Sequence, residues 1–218
     1  CRSLRQDDHD KTHVGALQAT ALLLLALLLG FTFSMAVSRF DARKSLLVDE
    51  ANAIGTSVLR AQFLTEQQRG EARLLLREYV ESRLEFYNAG IDQERLAAAA
   101  RSAQKIEQRL WTVAAGAAHQ EGQIVPAALF VLSLNEMFDV NERRLAAMEN
   151  HVPDAVVFLL LLVSTVALGF VAYGCGLSRR RHFRMNTVFA VLIALVITVV
   201  MDIDRPRRGL VRVSQDSM

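Results

Sequence analysis

No charged side chain occurs from Val14 to Ser38. About 20 consecutive apolar residues cross the roughly 30 Å hydrocarbon core as a helix. In lipid a helix is also one of the few backbones that satisfies its own N–H and C=O groups. "ALLLLALLLGFTFSMAV" therefore reads as a spanning helix. A secretory signal has a shorter apolar core and a small-residue cleavage site soon after it, whereas this run passes into a periodic helical pattern. Two further runs behave alike. Ala155–Ser178 follows Pro153 and Asp154, which suit a helix start because proline lacks a donor that would be unpaired there and an acid complements the helix dipole. Met185–Met201 is at the short end of the range, with Asp202 expected at its interfacial exit.

The fold class that follows is all-α, an integral membrane helical bundle with a long-helix extramembrane domain. Its expected divisions are an N-terminal flank at 1–13, a span at 14–38, a helical extramembrane domain at 39–154, a span at 155–178, a basic hairpin at 179–184, a span at 185–201 and a tail at 202–218. The flank opens on Cys1 and not on methionine, and is read as truncated, with room for one more helix before it. "LSRRRHFR" is short enough to set the second and third spans antiparallel. Composition agrees, with 52% hydrophobic and 22% charged residues. A formal charge of only +2 points away from a nucleic-acid partner, and two cysteines, Cys1 and Cys175, make no disulfide framework.

Between the first two spans the periodicity is helical throughout. Leu46, Leu47, Ala51, Ile54, Val58, Leu59 and Phe63 recur at three- and four-residue steps, as on one buried face. A second helix is expected at about Glu66–Tyr87 (Leu74, Leu75, Tyr79, Leu84, Tyr87). A third lies at about Asp92–Ala118 (Leu96, Ala100, Ile106, Leu110, Val113), after a turn at Asn88–Gly90. A fourth starts at Pro126. "IVPAALFVLSL" is too short to span and is expected to pack into the helical core. Lysine and arginine near the span ends favour, by a small margin, a cytoplasmic helical domain.

Little in the chain suggests an enzyme. There is no glycine-rich phosphate loop, no histidine pair at ligand spacing and no recognisable nucleophile, so no catalytic residue, metal site or cofactor is expected. The spans hold no ionisable group near the midplane, which a proton-coupled transporter would need. Their hydroxyl and small residues, with Gly30 and Ser34 at a small-xxx-small step, suit close helix approach. Phe33, Val37 and Phe40 share one helix face and are candidates for a pore lining that gates by dewetting when several copies meet. In the tail, Asp202 and Asp204 are expected to find arginine partners among their neighbours Arg205, Arg207 and Arg208. Pro206 and Gly209 bend the chain there, and Arg207, Arg208 and Arg212 are candidates for an anion-attracting vestibule.

The segment "LGFTFSMAVSRFDARKSLLVDEANAIG", Pro153 before the second span and the closing "DIDRPRRGLVRVSQ" together resemble the bestrophin-like domain family of bacterial membrane proteins. The resemblance covers nearly the whole chain. It marks Glu50, Asn52, Pro153, Asp202, Asp204, Pro206 and Gly209 as motif positions of a structural kind. It implies a multi-pass protein of the cell membrane, the bacterial inner membrane, embedded in the lipid bilayer. By similarity in layout to true bestrophins, which are pentameric anion channels with four spans and a cytosolic helical domain, it implies a homo-oligomer passing chloride or other small anions. The acidic calcium cluster of animal bestrophins has no counterpart here, so calcium gating is not implied. The rival reading is a non-conducting scaffold or sensor whose helical domain binds a protein partner.

Overall fold

The structure, a computed structural model, describes residues 2–177 and 183–205. The expectations for Pro206, Arg207, Arg208, Gly209 and Arg212, and for most of the basic hairpin, lie outside the described residues. Six α-helices and a short 3₁₀ turn follow in order: α1 (Arg2–Arg60), the turn (Ala61–Phe63), α2 (Glu66–Asn88), α3 (Gln93–Ala118), α4 (Ile124–Glu149), α5 (Asp154–Leu177) and α6 (Phe183–Asp204). Among the described residues there is no strand, and three helices are long and apolar enough to cross a membrane. The all-α membrane reading stands.

The chain divides into two compact units. The first combines α1 up to Arg39 with His151–Arg205, hence α5 and α6. Its core is small: Leu25 from α1, Leu160 and Ala167 from α5, and Ile193 from α6, flanked by half-buried Leu22, Leu29, Val163 and Phe189. Around that core Leu23, Leu27, Phe31, Phe158, Leu162, Val188 and Leu195 point outward. Apolar side chains on all sides suit helices whose solvent is lipid, because lipid removes the penalty that water sets on such a surface. Several hydroxyls in these helices bond back along their own helix. Thr32 donates to the Leu28 carbonyl (2.8 Å), Ser164 to Leu160 (2.7 Å) and Thr198 to Ala194 (2.8 Å). Each satisfies its hydroxyl where no water competes.

The second unit, Phe40–Asn150 among the described residues, holds the end of α1 with α2, α3 and α4. Its core takes Ala53 and Ile54 from α1; Ala72, Leu75, Leu76 and Tyr79 from α2; Ile106, Leu110 and Val113 from α3; and Ala127, Phe130, Leu134 and Met137 from α4. These recur at three- and four-residue steps, so each helix buries one stripe. Local chemistry sets the boundaries. Gly90, at φ +58°, takes the left-handed conformation that ends α2. The Asp92 carboxylate then caps α3, accepting from the Glu94 and Arg95 N–H groups at 3.1 Å. Gly122, at φ +76°, makes the turn into α4.

The apolar stripes depart from the sequence reading at four positions. Leu59, Phe63, Leu74 and Ala100 are exposed, while Ala61, Leu64, the pair Leu75–Leu76 and Ala99 take the interior. After Arg60 the helix tightens into the 3₁₀ turn, and Leu64 adopts an extended ψ of 163°. This rotates the 3.6-residue phase that would have carried Phe63 inward. The "IVPAALFVLSL" segment does enter the core through Ala127, Phe130 and Leu134, but Ile124, Val125 and Leu132 remain exposed.

Candidate functional site

Glu50 is fully buried on α1, on the inward stripe with Leu47, Ala53 and Ile54. An unpaired carboxylate there would carry a desolvation penalty of several kcal/mol. Two arginines meet it. Arg83 of α2 donates through Nε to Glu50 Oε1 at 2.7 Å, and Arg144 of α4 donates through Nη1 to Glu50 Oε2. Both guanidinium groups are buried too, with Arg83 at 1% and Arg144 at 2% exposure. Aromatic faces complete the enclosure: the Arg144 guanidinium lies 3.8 Å from the Tyr87 ring centroid, and that of Arg83 lies 5.2 Å from Phe86. One acid thus joins three helices of the second unit through charge-assisted hydrogen bonds, the strongest kind available to side chains.

Burial tends to lower the Arg83 pKa, but the Glu50 carboxylate beside it outweighs that, and the group is held above its ordinary value and stays charged. Tyr79, one turn before it, is pushed well up by desolvation. Glu107 of α3 accepts from Asn141 Nδ2 of α4 at 3.3 Å. Its carboxyl is raised above 4.5 by burial, against the opposing attraction of Arg83. An acid whose folded pKa lies above its unfolded one binds its proton more readily in the native state. Through Glu107, stability therefore rises as pH falls through the raised folded value, and the gain is complete below about 4.5. Glu107→Gln is expected to raise the thermal midpoint at neutral pH and to flatten that acid-side rise, as circular dichroism melts across pH 4–8 would show.

A second constellation belongs to the first unit. Asp204, the last residue of α6, is 3% exposed. Its Oδ2 accepts from the Val152 N–H at 2.9 Å and its Oδ1 from Arg39 Nη1 at 3.4 Å. The Pro153 carbonyl next in sequence receives the first helical bonds of α5, from Val156 and Val157. One carboxylate thereby ties the end of α6 to the start of α5 and to α1. Among the described residues Asp204 pairs with Arg39, 165 positions away, a partner the sequence did not suggest, while Arg207 and Arg208, two of the partners it did suggest, lie outside the described residues.

The remaining candidates are scattered. Phe33 is 44% exposed, and Val37 and Phe40 are half-buried. Gly30, with nothing within 4 Å of an added Cβ, and Ser34 are exposed beside them. Asn52 and Pro153 are exposed and Asp202 is half-buried. Sequence reasoning did not single out Arg83, Arg144, Glu107, Asn141 or Arg39. A signal existed for two of them: Arg83 follows Tyr79 by four residues and Arg144 follows Met137 by seven, so both arginines occupy apolar stripes. A charge on such a stripe requires a buried counter-charge.

Among the described residues no group of histidine, cysteine or acidic side chains could hold a metal ion. No curated protein and no solved structure matches the chain. A family model, the Bestrophin-like domain, matches residues 1–218, the whole sequence. The chain belongs to the Bestrophin-like domain family.

Proposed function

We propose that the protein is an oligomeric anion channel in which copies of α1 line the pore through Phe33, Val37 and Phe40, and which carries out no enzymatic chemistry. The observation that carries this reading is the outward face of α1. Leu25, Thr32 and Ala36 turn inward within the first unit, while Phe31, Phe33 and Met35 are left without cover. Beside them Gly30 and Ser34 leave room for another backbone to approach. A ring of such apolar side chains around an axis makes a constriction that opens and closes by wetting. The absence of an acid or base in the charge-free part of α1 suits passive flow better than proton-coupled transport. A homo-oligomer, a pentamer by likeness to true bestrophins, passing chloride or other small anions across the bacterial inner membrane, with the helical unit cytoplasmic, completes the proposal.

A second reading is favoured by a different surface. Leu59 at the end of α1, Phe63 in the turn that follows it, and Ile124, Val125 and Leu132 on α4 are exposed. The Arg60 side chain, donating to the Leu129 carbonyl at 3.0 Å, brings these two segments together. Grouped apolar exposure of this kind marks contact surfaces, and a non-conducting scaffold or sensor would use it for a protein partner. Planar bilayers separate the two readings. The purified oligomer is expected to pass an anion-selective current, and Phe33→Ala, which widens the constriction, to change its size or gating several-fold. Silence from a well-folded oligomer leaves the scaffold.

A further inference from the structure

Within the helical unit α1 has two faces. The inner one, with Leu47, Glu50 and Ile54, is buried. The outer one is open: Asp41, Lys44 and Gly55 are exposed, Val48 keeps 44% of its surface and Ala51 is half-buried. These five positions follow one another at steps of three, four, three and four residues. Such a line repeats every seven residues, the period at which one helix lies along another over its whole length. Carried back along the same helix, it continues through Val37, Ser34 and Gly30, and so runs for more than three heptads.

Lipid does not cover the outer part of this line. At a rise of 1.5 Å per residue, Gly55 stands about 25 Å along the axis beyond Ser38, where the charge-free run ends. The chain's own helices do not cover it either. A glycine inside a helix weakens it relative to alanine, yet a Cβ added at Gly55 would meet nothing among the described residues within 4 Å. Room is left there for a backbone from outside. Charge points to the occupant. Asp41 and Lys44 lie one turn apart on the open face, and neither has an ion-pair partner among the described residues. Copies inserted in the membrane with one orientation run parallel, so equal positions meet at equal height. Lys44 of one copy then comes opposite Asp41 of the next, and a second copy brings the matching heptad line with both charges.

We infer that α1 of one subunit packs in parallel along α1 of a second copy within the helical unit, through Lys44, Val48, Ala51 and Gly55, with Asp41 answering Lys44 across the contact. This contact rests on the homo-oligomer proposed above and extends it: the helix proposed to line the pore also joins the subunits outside the membrane. Paired charges at the seam fix its register, because any shift along the helix sets them against apolar neighbours.

The test uses the full chain in detergent and reads its mass by light scattering across a dilution series. The parent is expected to be an oligomer. Val48→Glu sets like charges against each other in facing copies and is expected to weaken association about ten-fold or more. Helix content by circular dichroism should not change, since the side chain is open within the protomer. Leu74→Glu, at an exposed apolar position of α2, is expected to leave the mass as it was. Asp41→Lys and Lys44→Asp should each weaken association several-fold, and the two together should restore it to within about two-fold of the parent. Gly55→Cys, in a chain whose Cys1 and Cys175 are replaced by serine, should be joined to a second copy by a short thiol cross-linker, and Gly70→Cys should not. That measurement decides the matter should Val48→Glu fold poorly. A folded Val48→Glu that assembles as tightly as the parent, charge reversals that do not compensate, or Gly55→Cys joined no better than Gly70→Cys each overturns the α1 contact and leaves the homo-oligomer standing. A monomeric parent overturns both.

Discussion

Replacing Glu50 with alanine is expected to lower the unfolding free energy by about 3–5 kcal/mol, the range for removing one member of a buried ion pair. For a chain of this size that moves the thermal midpoint down by roughly 6–20 °C. The cost arises less from lost attraction than from the two guanidinium groups left behind. Arg83 and Arg144 have 1% and 2% of their surface exposed, so neither can turn to water without opening the packing of α2 against α3 or of α3 against α4. Glu50→Gln retains the shape and one acceptor but not the charge, and is expected to lose most of the same stability. The triple replacement Glu50→Leu, Arg83→Met, Arg144→Met removes all three charges while filling the volume, and should recover at least half of the loss. Thermal and denaturant unfolding of the detergent-solubilised chain measures all three variants. A Glu50→Ala loss below about 1 kcal/mol would mean that the arginines reach water or another counter-charge.

The second large effect concerns the first unit. Asp204→Ala removes the acceptor for the buried Val152 N–H and the partner of Arg39. The orphaned amide costs about 1–3 kcal/mol, and the pair with the part-exposed Arg39 adds up to about 1 kcal/mol, giving a destabilisation of about 1–4 kcal/mol. The graded variants separate the contributions. Asp204→Asn still accepts from Val152 and should lose less than half as much, and Arg39→Ala should lose less again. Hydrogen exchange reads the same contact locally. The Val152 amide is expected to be protected in the parent chain and in Asp204→Asn, and to exchange faster in Asp204→Ala. Unchanged protection in Asp204→Ala would show that another group satisfies Val152.

Much of this architecture can be read along the chain because the signals are local. A charge-free run as long as Val14–Ser38 has few soluble alternatives, and the 3.6-residue stripes of α2, α3 and α4 follow from the burial of single side chains. Asp92 and Gly90 mark a helix junction through their own backbone chemistry. Reading failed where phase was reset by a short irregular segment, as at Phe63 after the 3₁₀ turn, and wherever a polar residue sat on an apolar stripe. Glu50 was recognised as a motif residue, yet nothing near it in sequence discloses that it is buried between two arginines. Likewise Asp204 has Arg205 adjacent, but bonds to Arg39.

From sequence alone came the three spans, the helical class and the family, since each depends on how single residues partition between water and lipid or between surface and core. That preference is a property of the residue and its near neighbours. Only the tertiary structure decided that Glu50 joins Arg83 and Arg144, 33 and 94 positions away, and that Asp204 holds Arg39 and Val152. Those choices are pairwise: several arginines could neutralise either acid, and which one does so depends on the helices whose packing brings it within about 3 Å in a desolvated place.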